Sequence, residues 1–293
     1  MNTSVQSYSC FSFHVQQLKM ILKIMCCYLA LLIPVAVFSQ KIAYGNNPQA
    51  GHYFDVGDAR IYYEIYGKGE PFVLLHGGVY GYIDEFEYFI PKLAEKYQVI
   101  CIATRGHGKS EIGKAPFTYQ QRAEDCFKVI RSITKDSVTV LGFSDGGYSG
   151  LKLAAQFPAI VKKLIAIGVG DDPKDSVYNK YHYTVAELKK ESPKFIESRI
   201  KLMPEPDRYD ECLAKLNDLY NKDYMSKETF EKIKCPVLVM SGDNDGYSTV
   251  EQAVLCAKYI PQHQLSIIPG CHHVVFYCNF PAVWESIQPF LKK

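Results

Sequence analysis

Residues 137–147 read Ser137-Val138-Thr139-Val140-Leu141-Gly142-Phe143-Ser144-Asp145-Gly146-Gly147. An apolar, β-branched run ends in G-x-S-x-G and passes into helical spacing over 148–156. A strand that turns sharply into a helix would hold Ser144 in strained backbone at the carboxyl end of a sheet. Glycines two residues to either side would admit the close approach of neighbouring backbone. The N-terminus of the following helix favours negative charge at the same point.

The alternation extends outward in both directions. Apolar or alternating runs predict strands over 52–56, 59–66, 72–75, 99–103, 137–141, 163–167, 237–240 and 265–268. Gly57-Asp58 is the expected turn between the first two. Helical spacing recurs over 85–96, 119–133, 148–156, 250–259 and 282–291. Short, all-apolar strands separated by amphipathic helices predict a mostly parallel sheet of about eight strands, buried on both faces. The expected architecture is α/β, a three-layer sandwich. Residues 171–234 break the pattern: they hold no apolar strand and are rich in Lys, Glu and Tyr, with helical spacing over 185–203 and 212–220. We expect a small helical cap there, inserted in one domain that spans 40–293.

The N-terminal segment reads as a leader. Fifteen residues without a charge, 24–38, follow Lys19 and Lys23, and Val37-Phe38-Ser39 suits a signal-peptidase site. The apolar stretch is shorter than the roughly 20 residues of a membrane-spanning helix and contains Pro34. Residues 1–39 are therefore expected to be an export signal cleaved near Ser39, giving a secreted or periplasmic chain; left uncleaved, they would be a membrane anchor. Met20 is an alternative start to Met1.

Composition excludes other classes. The chain has 293 residues, 47% hydrophobic and 22% charged, with 33 Lys+Arg against 31 Asp+Glu. Without the leader the charges balance, so nothing steers the chain to nucleic acid or to an anionic membrane. Cys10, Cys26 and Cys27 leave with the leader, and seven of the ten cysteines remain. An odd number leaves at least one free thiol, and spacing does not say which pair. Cys271-His272-His273 with Cys278 has no second cluster at zinc-type spacing, so no metal is implied.

A hydroxyl nucleophile needs oxyanion donors, a base and an orienter for the base. Leu75-His76-Gly77-Gly78 closes the strand at 72–75. The expected oxyanion donors are the amides of Gly78 and Asp145, with Val79 second to Gly78. His76 reads as a structural hydrogen-bonder. The Asp145 carboxylate either faces the pocket, where it would attract an ammonium group, or caps the helix that follows. Late loops offer two acids, Asp243 and Asp245, and two histidines, His272 and His273, in the chain order Ser, acid, His.

Taken together, G-x-S-x-G, H-G-G, G-x-x-D at Gly242–Asp245 and P-G-x-x-H at Pro269–His273 resemble the α/β-hydrolase family. The resemblance runs over nearly the whole chain after the leader. It implies the α/β-hydrolase fold and selects Asp245 and His273 as partners of Ser144, with Asp171 or Asp172 as the alternative acid position. Arg105-Gly106-His107-Gly108-Lys109-Ser110 resembles the family's R-G-x-G-x-S turn, a structural element, although Ala103 stands where the family usually has Asp. Ser-Asp-Gly-Gly with a small cap looks most like the valacyclovir-hydrolase-like and carbon–carbon-hydrolase-like branches. The expected function is hydrolysis of a small ester, thioester or amide through an acyl-enzyme, with no cofactor and a small-molecule substrate as partner. A carbon–carbon bond hydrolase with the same triad, and a ligand-binding homologue with negligible turnover, are the alternatives.

Overall fold

A computed structural model describes residues 42–171 and 180–292. The expected leader, 1–39, and the candidate acid Asp172 lie outside these residues. Eight strands form one sheet: β1 (Gly51–Asp55), β2 (Arg60–Tyr66), β3 (Glu70–Leu75), β4 (Tyr97–Ile102), β5 (Val138–Phe143), β6 (Val161–Ile167), β7 (Val237–Gly242) and β8 (His263–Ile268). Their order is β1-β2-β4-β3-β5-β6-β7-β8. β1 and β2 pair antiparallel, as do β2 and β4, and every later pairing is parallel. The β1–β2 turn at Gly57-Asp58 is closed by the Val56 amide on the Ala59 carbonyl.

Period-two alternation divides the sheet's side chains between two cores. Val73, Leu75, Val140, Leu164 and Val239 face α2 (Tyr119–Ile133), α3 (Asp145–Gln156) and α8 (Val250–Tyr259). Phe72, Leu74, Leu141, Ile165 and Met240 face α1 (Phe89–Ala94), α9 (Val275–Cys278) and α10 (Phe280–Lys292). Both faces are thus covered, which is why β3, β5 and β7 read as unbroken apolar runs.

Between β6 and β7 lie α4 (Val185–Glu191), α5 (Pro193–Leu202), α6 (Tyr209–Lys222) and α7 (Lys227–Phe230). The continuous helix expected over 185–203 is two helices, because Pro193 cannot continue α4 and instead starts α5. The helix expected over 85–96 is a 3-10 turn at Ile83–Phe86 followed by α1, with Pro91 in the first turn. α3 begins three residues earlier than its apolar spacing indicates, since Gly146 and Gly147 disguise its first turn. Among the described residues no helix is long and apolar enough to cross a membrane.

The R-G-x-G-x-S turn is structural, as expected. Arg105 is buried, pairs with Asp125 at 2.6 Å and with Asp58 at 2.7 Å, and fixes the turn after β4 to α2. Where the family usually places Asp, the Ala103 backbone is held instead: its amide donates to Tyr62 and its carbonyl accepts from Ser110 Oγ at 2.8 Å.

Candidate active site

β5 delivers Ser144 into a left-handed turn with φ 50° and ψ −117°. That conformation is costly for a residue with a Cβ and persists only where the surroundings enforce it. Here the Ser144 amide donates to the Ile167 carbonyl at 2.7 Å, and the Ser144 carbonyl receives the Tyr148 amide at 2.9 Å. Both flanking glycines are required: a Cβ on Gly146 would strike the Leu75 carbonyl, and one on Gly142 the Gly146 carbonyl.

Ser144 Oγ lies 2.9 Å from His273 Nε2, and His273 Nδ1 lies 2.8 Å from Asp245 Oδ2. With Nδ1 carrying the proton, Nε2 accepts from the serine hydroxyl. Asp245 is buried, and Oδ1 accepts the amides of Tyr247 and Ser248 at 2.8 and 3.0 Å. Burial alone would raise this carboxyl. The His273 hydrogen bond and charge, with those two amides, outweigh it and hold the group below its usual range. The rings of Phe143 and Tyr247 flank the imidazole at 5.0 and 4.9 Å.

The other candidates stand outside this chain of hydrogen bonds. His272 is exposed and its Nδ1 is 2.9 Å from the Asn244 carbonyl oxygen. Asp243 is exposed and accepts the Cys271 amide at 3.2 Å, shaping the turn rather than reaching the imidazole. Asp171, after β6, is tied by its amide to the Gln252 carbonyl at 3.0 Å.

His76 is buried and neutral: burial drives its pKa down to about 3. Nε2 accepts the Thr104 amide at 3.0 Å, so Nδ1 carries the proton and donates to the Gly77 carbonyl at 2.6 Å. That carbonyl belongs to the same planar peptide unit as the Gly78 N–H. In a trans peptide the two point in opposite directions, so His76 fixes where the Gly78 amide aims. The Gly77 amide is held in turn by Glu85 Oε2 at 2.7 Å. Gly78 and Asp145 both line the cavity that contains Ser144. Val79, next in the turn, has φ 50°, a second strained non-glycine residue on this wall.

The Asp145 side chain fulfils neither expectation. It belongs to the first residue of α3, where Oδ1 accepts the Ser149 hydroxyl at 3.4 Å, and it is not an open negative charge. Its buried Oδ2 lies 3.0 Å from Arg122 Nη2 and accepts the Tyr220 hydroxyl at 2.7 Å. Arg122 comes from α2 and Tyr220 from the cap helix α6, so this carboxylate joins elbow, core and cap. Sequence reading missed both partners. The available signal was Arg122 itself, a charge four residues before Cys126 on the helix stripe that continues through Val129 and Ile130.

The cavity has a volume of about 280 Å³. Tyr80, Tyr119, Tyr148, Tyr181, Tyr183, Tyr220, Tyr224 and Tyr247 line it, with the carboxyls of Glu85 and Asp223. Asn217 and Asn221, one turn apart on α6, hold Tyr183 and Tyr181 by paired bonds to their backbone amides and carbonyls. Among the described residues no group of His, Cys, Asp and Glu is arranged to hold a metal ion. Cys271 and Cys278 form a disulfide, and Cys101, Cys126, Cys212, Cys235 and Cys256 are buried free thiols.

Residues 70–187 match the profile of the alpha/beta hydrolase fold. A Haemophilus influenzae protein assigned as an esterase/lipase is 25% identical over 242 residues, covering 76% of this chain and 84% of its own. The 2-hydroxy-6-oxo-6-(2'-aminophenyl)hexa-2,4-dienoic acid hydrolase of Metapseudomonas resinovorans is 25% identical over 244 residues, 75% of this chain and 83% of its own. The crystal structure of the enol-lactonase from Burkholderia xenovorans LB400 superposes with a TM-score of 0.66 at 19% identity, covering 83% of this chain and all of that one. Sheet order, elbow and these likenesses converge: the chain is a hydrolase with the α/β-hydrolase fold.

Proposed function

We propose that the chain is an exported serine hydrolase that cleaves a small ester, thioester or amide through an acyl-enzyme. The observation that carries this reading is the hydrogen-bonded series Ser144 Oγ, His273 Nε2, His273 Nδ1, Asp245 Oδ2. Ser144 attacks the carbonyl carbon while His273 takes its proton at Nε2. Asp245 keeps the proton on Nδ1 and stabilises the imidazolium that forms. The carbonyl oxygen, now an oxyanion, receives the amides of Gly78 and Asp145. One such donor contributes roughly 3–4 kcal/mol to a transition state of this kind. His273 then protonates the leaving group, and water enters by the same route to release the acid.

The cavity favours a neutral acyl group. Burial raises the Asp223 carboxyl and brings Glu85 up to about 8, and no Lys or Arg stands among the described residues that line the space. A carboxylate on the substrate would add negative charge where burial already disfavours it. This weighs for an ester and against the acid substrate named for the Metapseudomonas relative.

A fluorophosphonate probe should label Ser144, and p-nitrophenyl acetate should turn over with a burst. The Ser144→Ala chain should do neither. Absence of labelling in the intact chain would leave the ligand-binding alternative. Edman sequencing of the protein recovered from an expressing cell should begin at Gln40, and a start at Met1 or Met20 would sink the export reading.

A further inference from the structure

We infer that the Cys271–Cys278 disulfide is a positioning clamp for His273, so that the hydrolase proposed above works at full rate only with this bridge closed. The bridge closes a loop of sequence separation 7, with a Cα–Cα distance of 5.7 Å, and His272 and His273 lie inside it. Its ends sit in different surroundings. Cys271 is fully buried in the core beneath the sheet, whereas Cys278 is exposed at the end of α9.

Cys271 also ties the base loop to the acid loop. Its amide donates to Asp243 at 3.2 Å, and its carbonyl accepts the Asn244 amide at 3.0 Å. The two loops are so close that a Cβ on Gly242 would strike the Cys271 carbonyl. On the far side, the Val275 amide donates to the His273 carbonyl at 3.1 Å and the Cys278 amide to Val274 at 3.3 Å. His273 is therefore suspended between a fixed point next to its own carboxylate and a single short helical turn. A four-residue helix has little stability of its own, and the bridge is the covalent link that pins it. Opening the bridge leaves the Asp245 contact intact on average but widens the range of imidazole positions relative to Ser144 Oγ. Displacements near 1 Å at such a contact cost on the order of a hundredfold in rate.

The exposed end makes the clamp addressable. An added dithiol gives two electrons to the bridge: the Cys271–Cys278 bond breaks and the dithiol's sulfurs join as a cyclic disulfide. Its two protons pass to the new thiols. The five other cysteines among the described residues do not compete, because burial shields them and pushes Cys126 and Cys212 up to about 12 and Cys235 to about 11.

The inference rests on Ser144 and His273 being the reacting pair, and the experiment separates the two readings. The full chain is treated with dithiothreitol, alkylated with iodoacetamide and mapped by mass spectrometry. Fluorophosphonate labelling rate, kcat, KM and the melting temperature are then followed against the fraction of bridge opened. The expected result is a fall in kcat and labelling rate of about ten- to a hundredfold, with KM and fold retained and activity restored when unalkylated protein is reoxidised. Cys278→Ser, altering only the exposed end, should show the same loss without added dithiol. Full activity in chain alkylated at both cysteines overturns the clamp while leaving the hydrolase intact. Loss of activity that tracks unfolding also overturns it, by making the bridge a general staple. An oxidised chain that neither labels nor turns over overturns both readings.

Discussion

At Asp145 the backbone and the side chain serve different partners. The amide opens α3 beside Ser144, while the carboxylate neutralises Arg122 deep under the cap. Asp145→Asn keeps the amide and the shape but strands a buried guanidinium, whose Nε already lacks a hydrogen-bond partner. The expected loss is about 3–5 kcal/mol of stability, measured by urea denaturation, with aminoacyl and neutral acyl esters affected alike. A selective loss for aminoacyl esters would show the charge facing the substrate after all. The histidines give a second residue-scale contrast. His273→Ala should lower kcat roughly 10⁶-fold, whereas exposed His272→Ala should retain most activity in the same assay. Equal damage from both would undo the assignment of the base. The identity of the acid and the base was open in the residues alone; the family resemblance chose Asp245 and His273, and in the structure Asp245 meets His273, which meets Ser144.

Elements carry their own tests. The elbow between β5 and α3 depends on backbone packing, so Gly146→Ala should destabilise by about 1–3 kcal/mol through overpacking and also depress turnover, because the collision is with the Leu75 carbonyl, at the start of the turn that carries Gly78. By contrast, Thr249 and Gln252 form a capping box at the start of α8, and neither lines the cavity. Thr249→Ala should cost about 1 kcal/mol in thermal unfolding and leave kcat/KM unchanged. Helices with clear 3.6-residue spacing, α2 and α8, match their sequence ranges to the residue. The broken ones do not: apolar periodicity runs straight through Ser192-Pro193, although proline forbids the helix to do so. The short α7 and α9 have too few residues to display a period at all.

For the molecule as a whole, pH separates acids of opposite kind. Asp58, bonded to Arg105, and Asp245, bonded to His273, are held below the usual carboxyl range. The unfolded chain binds their protons first, so acidification through that range removes stability. Glu85 is the reverse, raised by burial from 4.5 to about 8. Between those values the folded state keeps a proton the unfolded state has lost, and stability declines as pH rises. Buried His76, held at about 3, opposes this below neutral pH, because the unfolded chain takes up its proton there. Melting temperatures should therefore fall only from about pH 7 toward pH 8, and Glu85→Gln should flatten that decline. An unchanged slope in the variant would exclude Glu85 as its source. By itself the sequence determined what short-range physics writes: strand and helix periods, the glycine-flanked turn at Ser144, and the order along the chain of that serine, the candidate acids and the candidate histidines. Tertiary structure decided every match across distance. Asp245 meets His273 over 28 residues and Asp145 meets Tyr220 over 75, and Cys271 finds Cys278 across a turn too short to announce itself. Eight tyrosines converge on one cavity from the core and the cap alike. None of these pairings leaves a period in the sequence, because each is fixed by how separate elements pack and not by the residues beside it.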